Sequence, residues 1–87
     1  MANITYKTTV FAGGKVAIEG KGVSIETEGQ DITPYIKRVD ELSELEKKYK
    51  KDGYECVFAE SKWGQCASLE VRGGGVTLLM EVGYEIV

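Results

Sequence analysis

With 87 residues, 43% of them hydrophobic and 29% charged, the chain has the composition of one ordinary folded domain, too short for two cores and too apolar for disorder. It contains no histidine, which removes histidine general bases, Ser-His and Cys-His nucleophile pairs and His-containing zinc sites; its two cysteines alone do not complete a structural zinc site. At a net charge of -3 the one cluster of Lys and Arg is the last turn of the helix, which disfavours direct binding to nucleic acid; no apolar run reaches the ~18–20 residues of a membrane helix and no signal-peptide pattern opens the chain, so the expectation is a cytoplasmic protein without membrane contact.

The first strand is written in Ile4–Phe11, where Ile4, Tyr6, Thr8 and Val10 alternate with Thr5, Lys7, Thr9 and Phe11. Ala12-Gly13-Gly14 then reads as a hairpin turn. A two-residue Gly-Gly turn pairs Phe11 with Val16 but sets Ile18 opposite Thr9. A three-residue loop pairs Val10 with Val16 and Thr8 with Ile18, keeps one face more apolar, and is the register preferred. Gly20-Lys21 reads as a second turn, returning a third strand so that Ile18 meets Val23, Val16 meets Ile25, and Lys15 faces Glu26.

Asp31–Gly53 carries the only convincing helix pattern. Tyr35, Ile36, Val39, Leu42, Leu45 and Tyr49 recur at helical spacing, Thr33-Pro34 supplies a capping hydroxyl and a proline suited to the first turn, and Asp52-Gly53 supplies the stop. A rival start, with Asp40 as N-cap and Ile32–Val39 extended, remains open. Lysines 47, 48, 50 and 51 suit the dipole at the C-terminus, and Glu44–Lys48 and Glu46–Lys50 are spaced as ion pairs.

Three more strands follow. Tyr54, Cys56 and Phe58 face one way. A four-residue loop at Ser61–Gly64 pairs them with Val71, Leu69 and Ala67, and a four-residue loop at Arg72–Gly75 pairs those with Val76, Leu78 and Met80. The expected fold is therefore α+β: a curled antiparallel sheet of five to six strands in β3-α-β3 order, with one helix on its concave face, as a single domain over residues 1–87. Six strands at about 4.8 Å spacing exceed the width of one helix, about 10–12 Å. Either the sheet curls around the helix, the preferred outcome, or another copy or a partner covers the rest.

No pattern for a catalytic residue, metal site or cofactor emerges, and the expectation is a non-catalytic protein. The glycine clusters at 13–14 and 20–22 do not fit a phosphate loop. Cys56 is placed inward and Cys66 outward, unbridged. Trp63, alone of its kind and beside Lys62 in a loop, is either the leading interface residue or a lid folded back on the open end of the sheet, with Arg72 at the mobile-looking glycine tip as a second interface candidate. From Tyr54 onward Lys62 and Arg72 oppose Glu55, Glu60, Glu70, Glu81 and Glu85, so the C-terminal third holds the whole negative excess. Glu55, Glu70 and Glu81 fall on one outer face, where Val57, Ala59, Cys66 and Leu79 form a small apolar patch. The functional expectation is a small protein-binding protein acting through Trp63, Lys62, Arg72, Glu55, Glu60, Glu70 and Glu81 on a partner with a basic surface. Its specific version is a phage or mobile-element inhibitor of a nucleic-acid-handling enzyme, anti-CRISPR-like. The alternative is a self-associating assembly subunit such as a homodimer; a small-ligand binder or enzyme comes last.

Overall fold

A computed structural model describes residues 1–61 and 65–87. Its elements run β1 (Ala2–Ala12), β2 (Lys15–Glu19), β3 (Val23–Thr27), α1 (Thr33–Lys51), β4 (Glu55–Glu60), β5 (Cys66–Gly73) and β6 (Val76–Ile86). The fold is α+β, with one helix and a six-stranded antiparallel sheet that does not close. The spatial order is β2-β1-β6-β5-β4, with β3 also on β1. The molecule is elongated, 43 × 25 × 19 Å.

The centre of the sheet is the long ladder of β1 on β6, in register from Ala2 with Ile86 to Ala12 with Val76. Alternation runs through residues 2–7 of β1 and 80–86 of β6, so one register keeps Ala2, Ile4 and Tyr6 on the same face as Met80, Val82 and Tyr84. At the Val87 end of this ladder the Met1 ammonium donates to the Val87 carbonyl and the Val87 amide to the Met1 carbonyl, each at 2.8 Å.

The first three strands depart from the sequence expectation. β3 does not pair with β2. Both pair with β1 on the edge opposite β6: β2 through Thr9–Glu19 and Ala12–Lys15, β3 through Ala2–Thr27 and Tyr6–Val23. They are two halves of one interrupted edge strand, so Ile18 does not meet Val23 and Lys15 does not face Glu26. Gly20 explains the continuation. Its amide donates to Thr8 O at 2.9 Å, and a Cβ there would lie 2.5 Å from that same oxygen, so the break hugs β1 and does not reverse. The preferred three-residue turn is also corrected. Gly13 and Gly14 form a two-residue turn at φ 60° and 77°, pairing Phe11 with Val16. A bulge then inserts Ala17 and restores Ile18 opposite Val10.

The same correction applies to β5–β6. Gly74 and Gly75 alone make the turn, at φ 60° and 78°, so Val71 meets Leu78 and Leu69 meets Met80. Cys56 pairs with Val71 and Phe58 with Leu69 across β4–β5. Each register moves by two residues from that expected, which leaves the apolar face unchanged.

The helix starts at Thr33, which excludes the Asp40 start. Its N-cap is Ile32, not Thr33; the Asp31 carboxylate accepts from the Thr33 amide at 3.0 Å and its hydroxyl at 2.6 Å. Gly53 closes the other end at φ 91°, its amide donating to Lys50 O. Tyr35 and Leu42 are buried, with Val39, Leu45 and Tyr49 packed around the same cluster. Ile36, assigned to the stripe from its spacing, is 53% exposed. The core joins the helix to Ala2 and Ile4 of β1, Ala67, Leu69 and Val71 of β5, and Met80 and Val82 of β6. No helix among the described residues is long and apolar enough to cross a membrane.

Candidate interaction surface

The acidic residues singled out from sequence do not form one unopposed patch. Glu55, Glu70 and Glu81 share the sheet face away from the helix. Arg72 donates to both carboxylate oxygens of Glu70 at 3.0 Å and stands opposite Glu55. Lys7 stands opposite Glu81 and binds Glu19 at 2.8 Å. That contact raises the Lys7 ammonium and lowers the Glu19 carboxyl from their ordinary pKa values, chiefly through the hydrogen bond itself. Glu60 pairs with Ala67 on the opposite, helix-bearing face. Its charge joins burial in raising the Tyr35 phenol, burial being the larger cause. Trp63 and Lys62 lie outside the described residues. Arg72 is engaged by Glu70 beside the Gly74-Gly75 turn.

The expected apolar patch on that outer face is broken as well. Glu70 sits between Val57 and Leu79, paired with each across its two neighbouring strands. Cys66 lies at the far end of β5 beside Gly83. Both cysteines are free; Cys56, half-buried on the helix side, has its thiol pushed up by burial.

The larger unpartnered surface is on the other face. The helix packs over β4, β5 and β6, which leaves the β2, β3 and distal β1 part of the same face without cover among the described residues. Ile18, Val23, Ile25 and Val76 are 63%, 55%, 38% and 43% exposed. By register they share a face with Val10 and with the buried Ile4: Val10 opposite Ile18, Ile4 opposite Ile25. A half-sheet of β-branched side chains thus continues the core out into solvent, a concentration that marks contact surfaces.

One wall of this surface is the flank of α1. Tyr6 of β1 reaches toward it, with the Arg38 guanidinium 5.9 Å from the ring centroid and the hydroxyl 3.5 Å from Pro34 O. Between them opens a groove of about 630 Å³ lined by Tyr6, Asp31, Thr33, Pro34, Lys37, Arg38 and Glu41. Arg38 is bound to Glu41 at 3.0 Å. The groove has no set of converging, strongly perturbed acids and bases. Burial and hydrogen bonding act on single groups here, as on Asp31, whose carboxyl is lowered by the Thr33 hydroxyl and then by the Thr33 amide. The chemistry on offer is apolar contact with charged rims.

Sequence reasoning missed Ile18, Val23, Ile25, Val76 and the helix-flank cations as site residues because it spent the first two on pairing with each other. The signal that finds them is sheet width: more apolar strand than one helix covers. Compared with known proteins, the chain matches no family model, no curated protein and no solved structure.

Proposed function

We propose that the chain is a non-catalytic protein-binding module that works in the cytoplasm and engages its partner through the uncovered half of its helix-bearing face, read as the concave side of the sheet. The observation that carries this reading is the run of exposed Ile18, Val23 and Ile25 on the same face as the buried core. Fully burying side chains of this kind is worth roughly 1.5–3 kcal/mol each, so water exposure of several together is a standing cost that a partner relieves. Two free cysteines accord with a reducing compartment.

The acidic-face inhibitor of a nucleic-acid-handling enzyme is the second reading. What favours it is that Glu55, Glu70 and Glu81 lie on one face; the Arg72 ion pair of Glu70, and the positions of Arg72 and Lys7 opposite Glu55 and Glu81, weigh against it. One comparison separates the two: capture of the native-host partner by the wild type, by Ile18→Asp/Val23→Asp, and by Glu55→Gln/Glu70→Gln/Glu81→Gln, with circular dichroism confirming each fold. The apolar-face reading expects loss only in the first variant. Loss only in the second moves the contact to the acidic face. Sedimentation of the pure chain as a dimer that Ile18→Asp/Val23→Asp abolishes transfers the surface to self-association.

A further inference from the structure

The two outer edges of the sheet differ. One is the β2/β3 strand, interrupted at Gly20–Gly22 and bulged at Ala17, both features that blunt an edge. The other is β4, Glu55–Glu60, which pairs with β5 in unbroken register and carries no proline, no lysine and no bulge.

The ladder fixes which way the backbone groups of β4 point. The Ser61 amide donates to Cys66 O at 2.8 Å in the register of the strand pairs, so Glu55, Val57 and Ala59 turn their N–H and C=O toward β5. The Tyr84 amide donates to Gln65 O at 3.0 Å, which gives β5 the matching alternation, odd residues toward β6 and even residues toward β4. Cys56, Phe58 and Glu60 therefore turn theirs outward, and among the described residues nothing bonds them. Outward N–H and C=O groups repeating every second residue are matched by another β-strand.

The side chains select which strand. Glu55 and Glu60 bracket four apolar residues, so β4 reads alike in both directions. Directly opposed residues share a face, so two antiparallel copies have their dyad on a residue. A dyad on Glu55 or Glu60 opposes two carboxylates, and one on Phe58 sets Glu60 against half-buried Cys56. A dyad on Val57 avoids both. Cys56 then meets Phe58 of the second copy through four hydrogen bonds, and Glu55 meets Ala59. Val57, 48% exposed in one copy, is covered by its own image. Neighbouring charges are already paired within each copy, Glu46 with Lys50 and Glu70 with Arg72. With α1 centred over β4, β5 and β6, the two helix axes stand about 14 Å apart, clear of the 8–10 Å of packed helices.

We infer that two copies of the chain associate edge to edge through β4, antiparallel about Val57, joining their sheets into one. The inference is independent of the contact face proposed above. That face lies at the opposite edge, stays open, and is presented twice on one side of the joined sheet, so a partner with two sites gains avidity.

The test reads sedimentation equilibrium and amide exchange of the full chain over a range of concentrations. Expected is a rise from one-chain to two-chain mass for the wild type and equally for Ile18→Asp/Val23→Asp. In Val57→Lys, an exposed position where circular dichroism checks the fold, two lysines meet on the dyad and association weakens at least tenfold. The Cys56, Phe58 and Glu60 amides exchange more slowly as the dimer forms, whereas Val57 and Ala59, bonded to β5, are concentration-independent. Val57→Cys in a Cys66→Ser background cross-links on oxidation, since an opposed pair without hydrogen bonds brings Cα atoms to about 4.5 Å; Cys66→Ser alone does not. One-chain mass at every concentration, a dimer unaffected by Val57→Lys, or a dimer lost in Ile18→Asp/Val23→Asp overturns the inference. So does absence of the cross-link or of the amide slowing. Release of a captured partner by Val57→Lys from a wild type that stays monomeric assigns the edge to a foreign strand and overturns it as well.

Discussion

The guanidinium of Arg38 lies 5.9 Å from the ring centroid of Tyr6, and this pair bridges the helix to the strand at the mouth of the open face. Arg38 is held from its other side by Glu41, and Tyr6 by the Pro34 carbonyl. Wall and floor of the groove are therefore fixed to each other by side chains, although the helix itself packs on β4, β5 and β6. Arg38→Ala is expected to lower stability by about 0.5–1 kcal/mol, the worth of an exposed cation over an aromatic ring. Tyr6→Leu should cost a similar amount, and the double variant less than their sum. A urea double-mutant cycle reads the coupling; strict additivity removes it.

Tyr35 carries the opposite expectation. Its side chain is buried against Tyr84, with ring centroids 4.7 Å apart, and among the described residues its hydroxyl has no hydrogen-bond partner. Burying an unpaired hydroxyl costs about 1–3 kcal/mol, while the ring supplies the packing. Tyr35→Phe is therefore expected to raise stability by about 1 kcal/mol or more, measured by chemical denaturation. A loss of stability shows that the hydroxyl is satisfied.

Leu42 anchors the helix at 0% exposure, in contact with the central cluster. Leu42→Ala should destabilise by about 2–5 kcal/mol, the range for a buried leucine leaving a cavity. Ile36→Ala, one-half exposed on the same helix, should change little. The contrast checks which side of α1 faces the sheet.

The Asp31 carboxylate accepts two hydrogen bonds from Thr33 and titrates below its ordinary value. A lowered carboxyl contributes stability above its unfolded pKa and loses it as pH falls through the folded one. Asp31→Ala should therefore lower the urea midpoint at neutral pH, with wild type and variant converging in acid. A difference that persists at acidic pH assigns the effect to the loop backbone.

Gly20 and Gly22 flank the break in the edge strand but differ in space. A Cβ at Gly20 meets Thr8 O at 2.5 Å, whereas at Gly22 its nearest neighbours are 3.9 Å away. Gly20→Ala should cost more than about 1 kcal/mol and Gly22→Ala less, since only the first forces backbone apart. Amide exchange of Gly20, whose N–H binds Thr8 O, reports the opening directly.

Much of the fold was legible because its signals are local. Thr33-Pro34 and Asp52-Gly53 bracketed the helix correctly to within one residue, and alternation placed Ile4, Leu69, Met80 and Cys56 on the helix side. Register was harder, since a shift of two residues keeps the same face inward and periodicity alone does not distinguish the alternatives. The β2–β3 hairpin failed for a different reason. Gly20-Lys21-Gly22 has turn composition, yet Gly20 is glycine because β1 passes too close for a side chain, a tertiary cause absent from the local pattern. The candidate surface depended on that error: once β3 lies beside β1, Val23 and Ile25 join Ile18 along one open edge, while of the acids that stood out in sequence Glu70 pairs with Arg72.

The β1–β6 ladder joins strands at opposite extremes of the sequence, while β5–β6 and the β1–β2 turn are local hairpins. Closing the central seam demands the largest loss of chain entropy of any pairing in the sheet. The two hairpins are therefore expected to form before the seam, whose zipping is the expected slow step of folding. Until it closes, both halves display unpaired edges, and refolding yield should fall as protein concentration rises.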